Sequence, residues 1–119
     1  MKKILEPFNI HLEAFWPDDD LQRVEKMIRT LAPQIIKRLY GITINITDKT
    51  SFPHPKTGEP MVGDTRFFHG KPYLIILGKN PSPRIVYHEV AHAIGIENEI
   101  QAAKFEKEKA SEFEKKTRR

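Results

Sequence analysis

Residues 88–92 read His-Glu-Val-Ala-His, with two histidines four positions apart and a glutamate directly after the first. Side chains four positions apart on a helix share a face, so His88 and His92 can present two imidazole nitrogens to one cation. A catalytic zinc ion takes such ligands in a roughly tetrahedral set and keeps one position for water. Glu89 is the candidate general base that takes a proton from that water. The pattern therefore predicts zinc-dependent hydrolysis.

The alternative is a chance pattern on a helix that keeps two histidines for packing. The surrounding apolar residues predict that this helix is largely buried. Buried imidazoles without partners would leave unpaired nitrogens, which is costly. A metal ion on one nitrogen and a hydrogen bond on the other remove that cost, which favours the metal site.

A catalytic zinc ion needs a third protein ligand, and the chain has no cysteine. The candidates are Glu97, Asn98 and Glu99, with His54 and His69 farther away in the sequence. On a straight helix Glu99 would lie ~10.5 Å along the axis beyond His92, too far for one ion. The chain must therefore turn between them, and Gly95 is the residue that can end the helix. A new helix from about Asn98 would then carry Glu99 in its first turn.

Alternating apolar and polar residues predict strands over residues 8–15 and 42–47. Residues 65–69 and 73–77 flank Gly-Lys-Pro at 70–72, which indicates a hairpin with a three-residue turn. The run 73–77 is apolar throughout, so we expect that strand to be covered on both faces.

Apolar residues at helical spacing predict an amphipathic helix over residues 21–39, with a kink or a break at Pro33. Ser82 is a plausible N-cap for the motif helix, which we expect to end near Ile94. The predicted fold is α+β: a small, mostly antiparallel sheet packed against an N-terminal helix, the motif helix and a C-terminal helix.

The last segment contains strong helix formers but few apolar residues. We expect it to dock on the domain up to about Phe105, and residues 106–119 to be a charged helical extension. Phe105 and Phe113 can in principle block the open zinc position of the same or a neighbouring molecule. This predicts a latent form, or a homodimer through the C-terminal helix.

The chain has 119 residues, which suits one domain with one modest core. It lacks cysteine, a signal peptide and any apolar run that could span a bilayer, so we expect a cytoplasmic protein. The net charge is +4, and Lys115, Lys116, Arg118 and Arg119 supply much of the excess. Such a basic tail can bind nucleic acid, but it is more often a solvated chain end.

Residues 98–102, Asn-Glu-Ile-Gln-Ala, resemble the glutamate helix of gluzincins, the zinc metallopeptidases that pair His-Glu-x-x-His with a downstream glutamate. The resemblance implies that His88, His92 and Glu99 bind zinc and that Glu89 is the general base and acid. In its small size the chain also resembles the minigluzincins. The known members of that group are latent forms that are blocked by their C-terminal segments.

The chain departs from the gluzincin pattern at one position. Gluzincins often carry an aspartate that orients a ligand histidine at the position where this chain has Ala103. Support for the ligands must therefore come from elsewhere. A metzincin register also fits residues 88–95, but it places the third ligand on Asn98, a poorer zinc ligand than Glu99.

The function predicted from the sequence is a zinc metalloendopeptidase that acts on peptides or proteins. The alternatives are a non-catalytic zinc-binding interaction module and, with less support, a nucleic-acid binder. Four residues are candidates to stabilise the oxyanion: Tyr73, Tyr87, His54 and His69.

Overall fold

The structure is a computed structural model that describes residues 1–15 and 19–117. Its elements in chain order are β1 (Lys2–Leu5), β2 (Ile10–Ala14), α1 (Asp20–Thr30), α2 (Pro33–Ile36), a short 3-10 helix (Lys37–Leu39), β3 (Thr43–Ile46), β4 (Phe52–Pro53), β5 (Pro60–Met61), β6 (Gly63–Phe68), β7 (Lys71–Leu77), α3 (Pro83–Ala93) and α4 (Glu99–Thr117).

Five strands form the main sheet in the order β1-β2-β3-β7-β6, and β4 and β5 form a separate ribbon. The central strands β2, β3 and β7 are parallel to one another, whereas the edge strands β1 and β6 are antiparallel to their neighbours. The connection from β2 to β3 carries α1 and α2, because parallel strands need a long crossover. The predicted α+β class is confirmed, and its sheet is antiparallel at both edges and parallel at the centre.

The core lies between one face of the sheet and the helices. The period-two pattern of the central strands places their apolar side chains on that face. The buried residues of these strands are Ile10, Leu12, Ala14, Ile44, Ile46, Ile75 and Leu77. Leu74 and Ile76 on the other face of β7 are half-buried. The prediction that β7 is covered on both faces therefore holds fully for one face only, since the other face is partly covered.

Two further details of the sheet differ from the prediction. The hairpin turns through two residues, His69 and Gly70, which both have positive φ. Two consecutive residues of this kind give the tight turn that matches strand twist, so Lys71 and Pro72 already belong to β7. The short edge strand β1 was not predicted, because three of its four residues are exposed and it has no alternating pattern.

The helical segments follow the prediction more closely. The N-terminal helix breaks at Pro33, as expected, with α1 ending at Thr30. Asp19 is the N-cap residue of α1 and makes no side-chain cap hydrogen bond. Trp16 to Asp18, where the strand was expected to stop, lie outside the described residues.

Helix α4 stays docked beyond Phe105. Ala102 and Ala110 are buried, and Phe113 packs on the core with its ring 6.5 Å from that of Tyr87. The thin apolar set is sufficient because α4 packs along α3 with small residues at the contact. Among the described residues, no helix is long and apolar enough to cross a membrane.

Glu25 on α1 joins the edge strand to the helix. Lys3 Nζ donates to its Oε1 at 2.7 Å, and Arg29 Nε donates to its Oε2 at 3.0 Å. Burial raises the pKa of Glu25, but the hydrogen bonds from the two cations outweigh it and hold the pKa below its usual value. A carboxyl whose pKa is lowered by folding stabilises the fold above its unfolded pKa, and this stabilisation is lost as the pH falls through the folded value.

We therefore expect Glu25→Gln to lower the free energy of unfolding by about 1 kcal/mol at pH 7. The difference from wild type should vanish as the pH falls through the lowered pKa of Glu25, below which both chains carry an uncharged group. Urea unfolding across a pH series measures both values, with Glu108→Gln on the exposed side of α4 as the control. A deficit that persists unchanged at low pH would contradict the ionic origin of this contact.

Candidate metal centre

Helix α3 carries the histidine pair and is anchored at its start. The Ser82 side chain accepts a hydrogen bond from the Ile85 backbone N–H, and Pro83 is the first helical residue. Val86 and Val90 are buried on the face that packs against the core. Proline at the first position and a serine cap fix where the helix begins, and the buried apolar face fixes its rotation.

The chain turns at Gly95, as predicted. Gly95 has φ of 100°, the Ile96 N–H donates to the Ala91 carbonyl at 2.9 Å, and the Gly95 N–H donates to the His92 carbonyl at 3.0 Å. This pair of hydrogen bonds is the Schellman motif that ends helices at a glycine. Asn98 then caps α4, since its Oδ1 accepts from the backbone N–H groups of residues 100 and 101. Glu99 is thus the first residue of α4, pointing back at α3.

The three predicted ligands converge. The two Nε2 atoms of His88 and His92 lie 3.1 Å apart. Glu99 Oε1 lies 3.2 Å from His92 Nε2, and its Oε2 lies 3.4 Å from His88 Nε2. In a tetrahedral site with bonds of about 2.0–2.1 Å, neighbouring ligand atoms are about 3.3 Å apart. With one ligand atom taken from each side chain, the three atoms all lie within 4.8 Å of one another, so the group can hold one metal ion.

The hydrogen-bond partners of the two Nδ1 atoms determine the tautomer of each imidazole, and so whether its Nε2 atom carries a lone pair. His92 Nδ1 lies 2.9 Å from the Ile96 carbonyl oxygen, and His88 Nδ1 lies 3.0 Å from Glu106 Oε1. A carbonyl or carboxylate oxygen accepts, so both Nδ1 atoms donate. Neutral imidazoles then carry lone pairs on both Nε2 atoms, which cannot hydrogen-bond each other. Two lone pairs and a carboxylate at this separation suit a cation between them.

Glu106 is the residue that sequence reasoning missed. Its Oε1 accepts from His88, and its Oε2 accepts from Arg84 Nε at 3.2 Å. The carboxylate beside His88 thus comes from Glu106, whereas the residue at position 103 is the exposed Ala103. Glu106 lies seven positions after Glu99, about two helical turns, so both face α3. This seven-residue spacing is the feature of the sequence from which Glu106 could have been predicted to face α3.

The Glu89 carboxylate contacts strand β6 at Gly63 and Thr65. The residue is 7% exposed, and Thr65 Oγ1 donates to its Oε1 at 2.8 Å. A Cβ at Gly63 would lie 2.9 Å from Glu89 Oε2, so the strand admits this carboxylate because residue 63 is glycine. Burial raises the pKa of Glu89, while the Thr65 hydrogen bond and the charges of the two histidines oppose that rise.

A cleft of about 810 Å³ opens over these residues. We call it the site cleft. Its lining combines the ligand set with β6 and the end of α3. The lining residues are Arg38, Met61, Gly63, Asp64, Thr65, Phe67, Gly70, Pro72, His88, Glu89, His92, Ala93, Ile94, Gly95, Glu97 and Glu99.

Comparison with known proteins found no match. No family model matches the chain, and no curated protein or solved structure does so. The likeness to gluzincins therefore stays a prediction from residues 88–92 and 98–102. The convergence of the three side chains is a separate observation, because it comes from the fold.

The other predicted site residues are not brought to the metal centre. His54 Nδ1 accepts from the backbone N–H groups of residues 56 and 57, which fixes its own loop. The buried Tyr87 donates its hydroxyl to the Met27 carbonyl at 2.7 Å. His69 occupies the hairpin turn, and Tyr73 is exposed on β7. None of these four side chains lines the site cleft in the described part of the chain.

Neither rival for the third ligand takes that role. Asn98 uses its side-chain oxygen to cap α4, so the metzincin register has no ligand there. Glu97 lines the site cleft but does not join the converging group. Phe105 and Phe113 pack on the core, and no described residue of α4 after Glu99 lines the cleft.

Replacement of Glu106 tests its part in the centre. We expect Glu106→Ala to weaken zinc binding about 10–100-fold, because an outer carboxylate orients the ligand and makes it more basic. Glu106→Gln should fall between this variant and wild type, since it keeps an acceptor but loses the charge. Competition titration with a zinc chelator measures the affinity, and Glu108→Gln is the matched control on α4. Equal zinc affinity of the Glu106→Ala variant and wild type would contradict the role of Glu106 in orienting His88.

Proposed function

We propose that this chain is a zinc-dependent metallopeptidase in which His88, His92 and Glu99 bind the ion and Glu89 is the general base and acid. One observation carries the proposal: one ligand atom from each of His88, His92 and Glu99 lies within 4.8 Å of the other two, with a buried glutamate beside them. The likeness of the motifs to those of gluzincins, and of the small chain to minigluzincins, is consistent with it.

Zinc is the metal that the donor set favours. Two imidazoles and one carboxylate form a catalytic zinc set, and three protein ligands leave a position for water or substrate. The chain has no thiolate that would complete a closed structural site. When bound, zinc polarises the scissile carbonyl and lowers the pKa of water.

Glu89 performs the proton transfer in this proposal. Its Oε1 is engaged by Thr65, so we assign the transfer to Oε2. The carboxylate accepts a proton from the attacking water and passes it to the leaving amine. Burial raises the pKa of Glu89, which strengthens it as a base while leaving it ionised above that pKa. Thr65 holds the carboxylate in one orientation.

The substrate would be an extended peptide along β6. This strand pairs with β7 on one side, and among the described residues no strand pairs with its other side. Its residues Gly63 to Thr65 also line the site cleft. A peptide that adds a strand to this edge would bring its backbone to the ligand set. A cytoplasmic setting, which suits a chain without cysteine, is part of the proposal.

The second candidate is a non-catalytic interaction module that binds zinc but does not hydrolyse peptides. The cleft lining contains no described α4 residue after Glu99. A latent form blocked by the C-terminal segment, in the same molecule or through a homodimer formed by α4, belongs to this candidate. For nucleic-acid binding, Lys115 and Lys116 lie on α4, whereas Arg118 and Arg119 lie outside the described residues.

Glu89→Gln separates hydrolysis from metal binding. We expect the variant to bind zinc as tightly as wild type within about twofold, and to cleave a quenched fluorescent peptide library about 10²–10⁴-fold more slowly. The substitution keeps the shape and the Thr65 hydrogen bond but removes the base. Glu114→Gln, exposed on α4, should cleave like wild type, and a chelator should abolish wild-type cleavage reversibly.

Cleavage by Glu89→Gln at the wild-type rate would overturn the mechanism. Stoichiometric zinc binding by wild type without cleavage of any library member would favour the non-catalytic module.

A further inference from the structure

Arg38 reaches the site cleft from a distant part of the chain. It lies in the short 3-10 helix between α2 and β3. Its Nη2 donates to the carbonyl oxygen of Ile94, at the end of the helix that carries both histidines. A Cβ at Gly95 would lie 3.6 Å from the same nitrogen. The exposed side chain of Arg38 therefore places its guanidinium against the turn between His92 and Glu99.

The charge of Arg38 has no partner among the described residues, where no carboxylate oxygen lies within 4.0 Å of it. Two other arginines do have carboxylate partners: Arg66 pairs with Asp64 at 3.3 Å, and Arg84 pairs with Glu106 at 3.2 Å. Arg38 is also the one lysine or arginine that lines the site cleft within the described chain.

The chemistry of the group points to its ligand. A guanidinium presents five N–H donors in a planar fork that matches a carboxylate. The Ile94 carbonyl uses one of them. Resting on the proposed peptidase function, we propose that Arg38 binds a carboxylate of the peptide substrate. That carboxylate is either an acidic side chain near the scissile bond or the free C-terminus. Arg38 is thus a specificity-determining residue of the cleft.

Two features act against this recognition and sharpen its test. Asp64 and Glu97 also line the cleft and repel a carboxylate, although Asp64 is already paired. Arg38 also caps the C-terminal end of α3, which is a structural role in itself. A structural role affects all peptides alike. A carboxylate site changes the ratio between charged and neutral peptides, and that ratio is the diagnostic quantity.

The test uses the full-length, zinc-loaded Glu89→Gln protein as the reference, so that peptides bind without cleavage. The probes are labelled peptides of alanine and leucine in matched pairs. One pair has a C-terminal carboxylate or carboxamide, and the others have aspartate or asparagine at successive internal positions. Fluorescence anisotropy gives the dissociation constants. Arg38→Gln, Arg38→Lys and the control Lys37→Gln, an exposed neighbour outside the cleft, are made in the same background.

We expect at least one charged peptide to bind about tenfold more tightly than its neutral partner, since hydrogen bonds to charged groups are the stronger ones. The pair that shows the preference identifies whether the side chain or the C-terminus is bound. Arg38→Gln should bring the ratio close to one, Arg38→Lys should give a reduced preference, and Lys37→Gln should keep the full ratio.

The proposal is overturned if no pair shows a preference in the reference protein, including the case in which no charged peptide binds. It is also overturned if Arg38→Gln keeps the ratio. Cleavage of the same peptides by wild type is scored separately. Binding with the expected ratio but no cleavage would count against the peptidase function alone, and cleavage with a ratio of one would count against the role of Arg38 alone.

Discussion

The candidate metal centre depends on one electrostatic constraint: two imidazole lone pairs and one carboxylate face the same point. The partners of the Nδ1 atoms impose it, because the Ile96 carbonyl and the Glu106 carboxylate can only accept. With both Nδ1 atoms donating, the Nε2 atoms of neutral rings have no proton to share across 3.1 Å. Such an arrangement is unfavourable without a cation. The arrangement of protein atoms alone therefore favours a positive charge between the three side chains.

The turn at Gly95 makes this arrangement accessible. On a continuous helix Glu99 would lie beyond the reach of a shared ion. The Schellman turn reverses the chain and lays α4 along α3, so that ligand and outer carboxylate come from the same helix. The packing of Ala102, Ala110 and Phe113 keeps that helix in place. Part of the core therefore serves to hold Glu99 and Glu106 against the histidines, and loosening of α4 should weaken the centre.

Local patterns in the sequence were sufficient to predict that His88, His92 and Glu99 come together, and to predict most elements. The spacing of His88 and His92, the turn at Gly95 and the helix start near Asn98 each have a local physical cause, and the structure has all three. The class of the fold followed from alternation in strands and helical spacing in α1 and α3.

The features that were not predicted from the sequence depend on tertiary contacts. Glu106 and Arg38 become site residues because α4 and the short 3-10 helix pack beside α3, which no local pattern specifies. The same is true of Thr65, which meets Glu89 across the gap between strand and helix. Docking of α4 past Phe105 was not expected because two alanines bury it, and alanine gives a weak apolar signal.

The most direct measurement is X-ray absorption spectroscopy of the zinc-loaded protein, combined with metal analysis. One zinc ion per chain is predicted, with two nitrogen ligands at about 2.0–2.1 Å and a protein carboxylate oxygen at about 2.0–2.2 Å. Substitution Glu99→Ala should remove that carboxylate and leave the two imidazoles. Failure to bind one equivalent of zinc, or a zinc shell without two imidazole ligands, would contradict the assignment of His88, His92 and Glu99 as a metal centre.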